Sequence, residues 1–198
     1  MRWLRNILNV CLLVGLFFLL AFTSIQQESY PCKGVSIALE NEATSLVTRG
    51  EVLQIIKSLV DSIDGLPLNE FPLYEIEKTI EQHALIKAAE VFVIPNGELN
   101  VTVKQKKPLV RVKNAQGKSY YLDVEGKPFP LSRNYTQRLM IANGHIIDSV
   151  DIALVIKVAE YIHQNEFWKA QIMQLHLNKN KEIELIPRVG NHVILLGS

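Results

Sequence analysis

The sequence predicts an α+β protein: one N-terminal transmembrane helix, then a β-α-α-β-β module, then a mostly β domain with one helix. Three observations predict this class. A long uncharged apolar run opens the chain, helical and alternating patterns follow in a defined order, and short alternating runs fill the remainder. The expected divisions are a cytoplasmic tail at 1–5, a transmembrane helix at 6–26, a linker at 27–34, the module at 35–106 and the β domain at 107–198.

The first thirty residues predict a membrane anchor. No residue from 6 to 25 is charged, and about 20 apolar residues suffice to cross the hydrocarbon core as a helix. Arg2 and Arg5 precede this run, so the positive-inside bias places the N-terminus in the cytoplasm and the rest of the chain outside it. A cleaved signal peptide is the alternative, but the apolar run is longer than a usual signal core. The expected anchor residues include Ile7, Leu12, Leu16, Phe17 and Leu20.

Composition and charge exclude several classes of protein. With 198 residues, of which 48% are hydrophobic, the chain can build packed cores. A formal net charge of +1 gives the chain no excess of positive charge with which to bind nucleic acid. Two cysteines, Cys11 within the apolar run and Cys32 just after it, supply neither a disulfide framework nor a zinc site.

The β-α-α-β-β module begins with alternating apolar and polar residues at 35–40, which is typical of a half-buried strand. Thr48 and Glu51 then form a capping box, and apolar residues recur at helical spacing over 49–64. We therefore expect a helix there with one buried face. Its apolar positions are Val52, Ile55, Ile56, Leu59, Val60 and Ile63.

Gly65 and Pro67 end that helix, and Pro72 suits the first turn of a second one, whose apolar positions continue to Ala84. Asn96-Gly97 lies between two alternating runs, which is a strong signal for a β-hairpin. The predicted order is strand, helix, helix, strand, strand, with the helices on one face of the sheet.

Short alternating runs indicate a mostly β domain after residue 107. Asn143-Gly144 is expected to stop a strand, and Ser149 is expected to cap a helix. In order, the expected elements are strands at 109–113 and 120–124, an extended piece at 128–130, a strand at 138–142, the helix after Ser149, and strands at 173–177, 183–185 and 192–196.

The residues offer little support for an enzyme. The five histidines have no metal-ligand spacing, and neither a G-x-S-x-G elbow nor a glycine-rich phosphate loop occurs. Asp123 and Glu125 could be a carboxylate pair, but Gly126-Lys127 after them suits a tight turn better. We expect no catalytic residue, no cofactor, no metal site and no small-molecule substrate.

Four stretches and their order resemble the bacterial cell-division protein family FtsQ/DivIB, whose first module is of the kind called POTRA. They follow a short tail and one apolar run. The stretches are EVLQIIKSL at 51–59, the run from Ala88 through Asn96-Gly97 to 109–111, SYYLDVEGKPFPLS at 119–132 and IELIPRVGNHVILLG at 183–197.

The resemblance implies a divisome scaffold without enzymatic activity. Such a protein sits in the cytoplasmic (inner) membrane as a single-pass type II protein, with its bulk in the periplasm at the septum. It would bind the lipid bilayer, division proteins of the FtsB and FtsL kind, and septal wall synthesis proteins. The alternative is a POTRA-type envelope chaperone or secretion accessory protein.

The resemblance also implies that the β domain adds a partner strand at its C-terminal edge. Family members continue past the hairpin at 183–197 into a helix and a last β segment, so this chain is expected to be C-terminally incomplete relative to the family. Because the segment that receives the partner in the family lies past this point, we expect a chain ending at Ser198 to lose most affinity for an FtsB-like partner. The alternative is that the partner strand pairs directly with the edge at 193–196. The candidate partner-binding residues are His192, Val193, Ile194, Leu195 and Leu196.

Overall fold

The computed structural model describes residues 2–25, 31–60, 62–63 and 65–197. We call residues 31–105 the first module and residues 107–197 the second module. The α-helices are α1 (Arg2–Ile25), α2 (Arg49–Leu59), α3 (Leu73–Glu81), α4 (Ser149–Gln164) and α5 (Glu166–Gln171). The strands are β1 (Gly34–Leu39), β2 (Ile86–Val93), β3 (Glu98–Gln105), β4 (Val110–Asn114), β5 (Ser119–Leu122), β6 (Pro128–Phe129), β7 (Ile141–Gly144), β8 (Ile172–Leu177), β9 (Ile183–Pro187) and β10 (Ile194–Gly197).

The N-terminal residues form α1, which is 24 residues long. The expected anchor residues Leu12, Leu16 and Phe17 are exposed on it. The side chains of Ile7 and Leu20 lie outside the described residues. Among the residues that the structure describes, no helix combines the length and the apolar character of a membrane span.

The first module has the predicted β-α-α-β-β order. Its sheet runs in the order β1-β3-β2 within the described chain, with β1 parallel and β2 antiparallel to β3. The capping box is confirmed, because the Thr48 hydroxyl accepts from the backbone N–H of Glu51 at 3.2 Å and the Glu51 carboxylate accepts from that of Thr48 at 2.8 Å. The predicted hairpin at Asn96-Gly97 is also confirmed, since it joins β2 to β3.

Both helices of the first module are shorter than predicted. The backbone at Val60 is extended (φ −134°, ψ 119°), and α2 ends at Leu59, five residues before the predicted position 64. Val60 is nevertheless buried in the core of the first module, and Ile63 is packed against it. Leu59 is 37% exposed, so it does not belong to the buried stripe of α2. Ala84 likewise lies beyond the end of α3 and is exposed.

A buried amide joins the end of β3 to the loop that follows β1. The side-chain Oε1 of Gln105 accepts from the backbone N–H groups of Leu46 (2.6 Å) and Val47 (3.1 Å). Its Nε2 donates to the carbonyl oxygen of Glu40 (3.1 Å) and the hydroxyl of Ser45 (2.8 Å). All four hydrogen-bonding positions of the amide are therefore used, as a buried polar group requires.

The second module is built on a sheet that runs in the order β10-β9-β8-β7-β4-β5-β6 over the described residues. Helix α4 packs on one face of this sheet through Val155, Ala159 and Ile162. The short helix α5, which was not predicted, follows α4 after Asn165, whose side chain accepts from the backbone of Trp168 at 3.2 Å.

Two predictions in the second module were wrong. Asn143-Gly144 belongs to β7 rather than stopping a strand at 142. Gly144 has φ +97°, and a Cβ there would lie 2.2 Å from the carbonyl oxygen of Leu177, so glycine permits a close approach to β8. The cap of α4 is Asp148 rather than Ser149, because the capping-box geometry is made with Asp151 three residues later.

Two aromatic residues of the second module lie in the hydrophobic core of the first module. Tyr121 and Phe129 of the second module are buried in the cluster formed by the first module, with their ring centroids 5.5 Å apart. After β6 the chain continues along the first module. There the Ser132 hydroxyl donates to the carbonyl oxygen of Leu46 at 2.5 Å, and the Asn134 amide donates to the same oxygen at 3.3 Å. Apolar burial and hydrogen bonds thus fix the second module against the first.

A buried carboxylate holds the start of α4 to the turn between β8 and β9. Asp151 is 2% exposed, and its Oδ2 accepts from the backbone N–H groups of Ile147 (3.0 Å) and Asp148 (3.2 Å). Its Oδ1 lies 3.2 Å from the ammonium of Lys181, without hydrogen-bond geometry. The hydrogen bond from Ile147 is the main reason that the pKa of Asp151 is lowered, with further contributions from Asp148 and Lys181.

Replacing Ile56 by Ala should lower the free energy of unfolding by about 2–5 kcal/mol, because a fully buried side chain would leave a cavity. Leu59→Ala on the same helix is the control and should cost less than about 1 kcal/mol, since Leu59 is partly exposed. Urea unfolding followed by circular dichroism measures both changes. Equal losses for the two variants would contradict this description of α2.

Replacing Asp151 by Ala should cost about 1–3 kcal/mol at neutral pH, because two backbone N–H groups would lose their acceptor. A carboxylate with a lowered pKa stabilises the fold above its unfolded-state pKa, and this stabilisation is lost as the pH falls through the folded-state value. The gap between the wild-type and variant unfolding free energies should therefore stay constant at neutral pH and narrow only below about pH 4. Glu160→Ala, on the exposed face of α4, is the control for urea unfolding at each pH. A gap that does not narrow in acid would count against this role.

Candidate partner-binding edge

Strand β10 lies at one end of the second sheet. It pairs with β9 in antiparallel register, with Ile194 opposite Leu185 and Leu195 opposite Glu184. Among the residues that the structure describes, no strand pairs with the outer side of β10. Its outward backbone groups are therefore available to another strand.

One side chain at the β10 edge is packed against the core, and several others are exposed. Ile194 packs against the core of the second module. Val193, Leu195 and Leu196 are 51%, 75% and 52% exposed. Val189, in the preceding turn, is 78% exposed. Apolar side chains concentrated beside an open strand are a feature of binding surfaces.

The turn before β10 carries His192, which is also exposed. Gly190 in this turn has φ +94°, and a Cβ there would lie 2.8 Å from the His192 imidazole. Glycine therefore lets the imidazole lie against the turn. The structure thus brings all five predicted residues to one edge, although Ile194 is packed inward and contributes mainly to the core.

Further along, the pairing of β10 shifts register between Leu195 and Gly197. Leu195 lies on the sheet face opposite α4, in a row with Glu184 and His176 on the neighbouring strands. The His176 ring nitrogen is 2.8 Å from the Asn143 side-chain oxygen in the same row. This row is polar except for Leu195.

The other sheet edges are less suited to strand addition. β6 has two residues and begins with Pro128, which lacks a backbone donor. Along β2, the carboxylates of Glu81 and Glu77 accept from the backbone N–H groups of Ala89 (3.4 Å) and Val91 (3.3 Å). The two glutamates are four residues apart and lie on one face of α3, and the sequence analysis did not identify this role.

Strand β1 forms the remaining edge of the first sheet. The side chains that it exposes are the small Ser36 and Ala38, whereas β10 exposes two leucines. β10 therefore offers the larger apolar surface to a partner strand.

The carboxylates near Gly126 have a structural role. Asp123 Oδ1 accepts from the backbone N–H groups of Glu125 and Lys127, both at 2.9 Å, and Gly126 has φ +76°. Lys127 lies 2.6 Å from Glu125 and lowers the pKa of that carboxyl group. These residues form the expected tight turn. In the described part of the chain, no group of three or more His, Cys, Asp or Glu side chains could hold a metal ion.

Comparison with known families assigns both modules. Residues 30–104 match the model of the POTRA-like domain, and residues 107–198 match the model described as FtsQ/DivIB, C-terminal related. No individual curated protein gives a significant match. The two matches together cover most of the chain and support an FtsQ/DivIB-family protein.

Proposed function

We propose that this protein is a non-enzymatic scaffold of the bacterial divisome, anchored in the cytoplasmic membrane and enriched at the division septum. It links early and late division proteins by protein–protein binding. The observation that carries the proposal is the open, apolar edge of β10 in a domain of the FtsQ/DivIB family.

In this proposal, a strand from a partner of the FtsB or FtsL kind pairs with β10 by β-augmentation. Backbone hydrogen bonds along β10 supply affinity without regard to sequence. The exposed Val193, Leu195 and Leu196 select apolar side chains on the incoming strand. The POTRA-like module adds contacts with further division proteins close to the membrane.

The anchor is also part of the proposal. Residues 6–25 carry no charge, and all of them lie within α1. Arg2 and Arg5 precede it. This charge pattern supports an orientation with the bulk of the chain in the periplasm.

Leu195→Lys should weaken capture of an FtsB–FtsL pair by at least about tenfold, because a charge would replace the most exposed apolar side chain of the edge. The change should leave stability within about 0.5 kcal/mol, since Leu195 does not belong to the core. Pull-down at matched concentrations of folded protein measures the effect.

Val189→Lys is the matched control for this experiment. Val189 is as exposed as Leu195 but lies in the turn rather than in the strand, so binding should be unchanged. If Leu195→Lys captures the FtsB–FtsL pair as well as the wild type does, the proposed edge is refuted. If both variants weaken capture equally, added charge alone reduces binding.

Alkaline phosphatase fused after residue 30 should be active in bacterial cells, because the enzyme requires the periplasm to form its disulfides. A fusion lacking residues 6–25 is the control and should be inactive. The full-length protein should fractionate with membranes and retain its N-terminus. A soluble product that begins near residue 24 would contradict the anchor.

A further inference from the structure

Hydrogen bonds tie together the end of the first module at which the chain enters it. The backbone N–H of Cys32 donates to the carbonyl oxygen of Leu66 at 2.8 Å, and that of Lys33 donates to the carbonyl oxygen of Gly97 at 2.9 Å. These bonds join the start of β1 to the segment at 66–69 and to the tip of the β2–β3 hairpin at 94–97. We call this end of the first module the entry pole.

The entry pole lies at the far end of β3 from the second module. Strand β3 starts at Glu98, beside the hairpin tip, and ends at Gln105, whose side chain holds the loop that the second module contacts. Its eight residues span roughly 25 Å at about 3.3 Å each. Since β1 runs parallel to β3, with Gly34 opposite Glu98, the chain enters the first module at the end opposite the second module.

The connection to α1 limits how far the entry pole can lie from that helix. Six Cα–Cα steps join Ile25, the last residue of α1, to Pro31, and even a fully extended chain spans only about 20 Å over this length. If α1 anchors the chain as proposed above, the entry pole is held within about 20 Å of the membrane surface.

An open groove of about 680 Å³ lies in the entry pole. Its lining is mainly apolar and contains no acidic residue. Pro95, at the hairpin tip, is exposed. The apolar side of the groove includes Leu68, Val93, Ile94 and Pro95, and the polar side includes Lys33 and Asn96.

Lys33 supplies the positive charge of the groove. Its side chain is exposed, and a Cβ at Gly97 would lie 3.5 Å from its Cδ, so its aliphatic stem lies across the hairpin tip. Among the described residues, no carboxylate lies within ion-pair distance of its ammonium. The carboxylate of Glu98, next to the tip, accepts from the Asn96 amide at 2.9 Å. An unpaired lysine beside apolar side chains is typical of a contact with the membrane interface.

We propose that the entry pole docks on the surface of an anionic bilayer. The ammonium of Lys33 contacts lipid headgroup phosphates, and the apolar lining of the groove contacts the boundary between headgroups and acyl chains. The proposal rests on the anchor of the proposed function, because the short connection to α1 gives the groove a high effective concentration of lipid. Docking of this pole holds the second module away from the membrane surface.

The test places the full chain in nanodiscs of phosphatidylcholine, with or without phosphatidylglycerol, and observes isoleucine methyl signals by NMR. A gadolinium chelate attached to lipid headgroups should broaden the methyl signal of Ile94. The methyl signal of Ile147, which is exposed on the second module, should stay sharp. Phosphatidylglycerol should strengthen the broadening of Ile94, and added salt should reduce it.

Lys33→Glu should reduce the broadening of Ile94 in the anionic nanodiscs at least about threefold, because repulsion from the headgroups replaces attraction. Pro95→Glu, which adds a negative charge at the exposed hairpin tip, should act in the same way and keeps the test decisive if Lys33→Glu unfolds. Lys118→Glu is the matched control, because it reverses an exposed charge in the turn between β4 and β5 and should change nothing. Circular dichroism measures whether each variant is folded.

Three results with chain that co-elutes with nanodiscs would overturn the proposal. They are the absence of Ile94 broadening, equal broadening with and without phosphatidylglycerol, and equal reduction by Lys33→Glu and Lys118→Glu. If neither the headgroup chelate nor a water-soluble chelate broadens Ile94, another part of the protein covers the groove and lipid docking is wrong. Failure of the anchor is distinguishable, because the chain would then not co-elute with nanodiscs at all, and both proposals would fall.

Discussion

The arrangement of the two modules depends on the side-chain amide of Gln105. It occupies the last position of β3 and gives all four of its hydrogen bonds to the loop after β1. That loop presents the carbonyl oxygen of Leu46, which accepts from Ser132 and Asn134 of the second module. One buried amide therefore holds in place the loop that the second module contacts. A buried network of this kind is stable only when every member is satisfied.

Aromatic side chains of the second module also pack into the core of the first. Tyr121 belongs to a strand of the second sheet, yet its ring is buried with the side chains of the first module. Phe129 joins it from the next strand. The strands that carry these rings belong to the same sheet as β10, so hydrogen-bonded strands connect the β10 edge to the first module.

The sequence predicted elements whose signals are local. The capping box at Thr48 and the Asn96-Gly97 hairpin follow from contacts within four residues. The errors arose where distant contacts decide the outcome. Gly144 continues a strand because β8 approaches it closely. Val60 is buried as its place in the apolar pattern predicted, although α2 ends at Leu59. For the candidate edge, alternation located the strand, but only the pairing with β9 distinguishes the packed Ile194 from its exposed neighbours.

The two ends of the second sheet differ, and this difference limits the kind of assembly that it can support. At one end β10 has an open edge, while at the other β6 is two residues long and starts with a proline. Strand addition at β10 therefore has no equivalent at β6 through which a further molecule could continue the ladder. Within the residues that the structure describes, the strand addition that we propose would therefore extend this sheet at its β10 end and not at its β6 end.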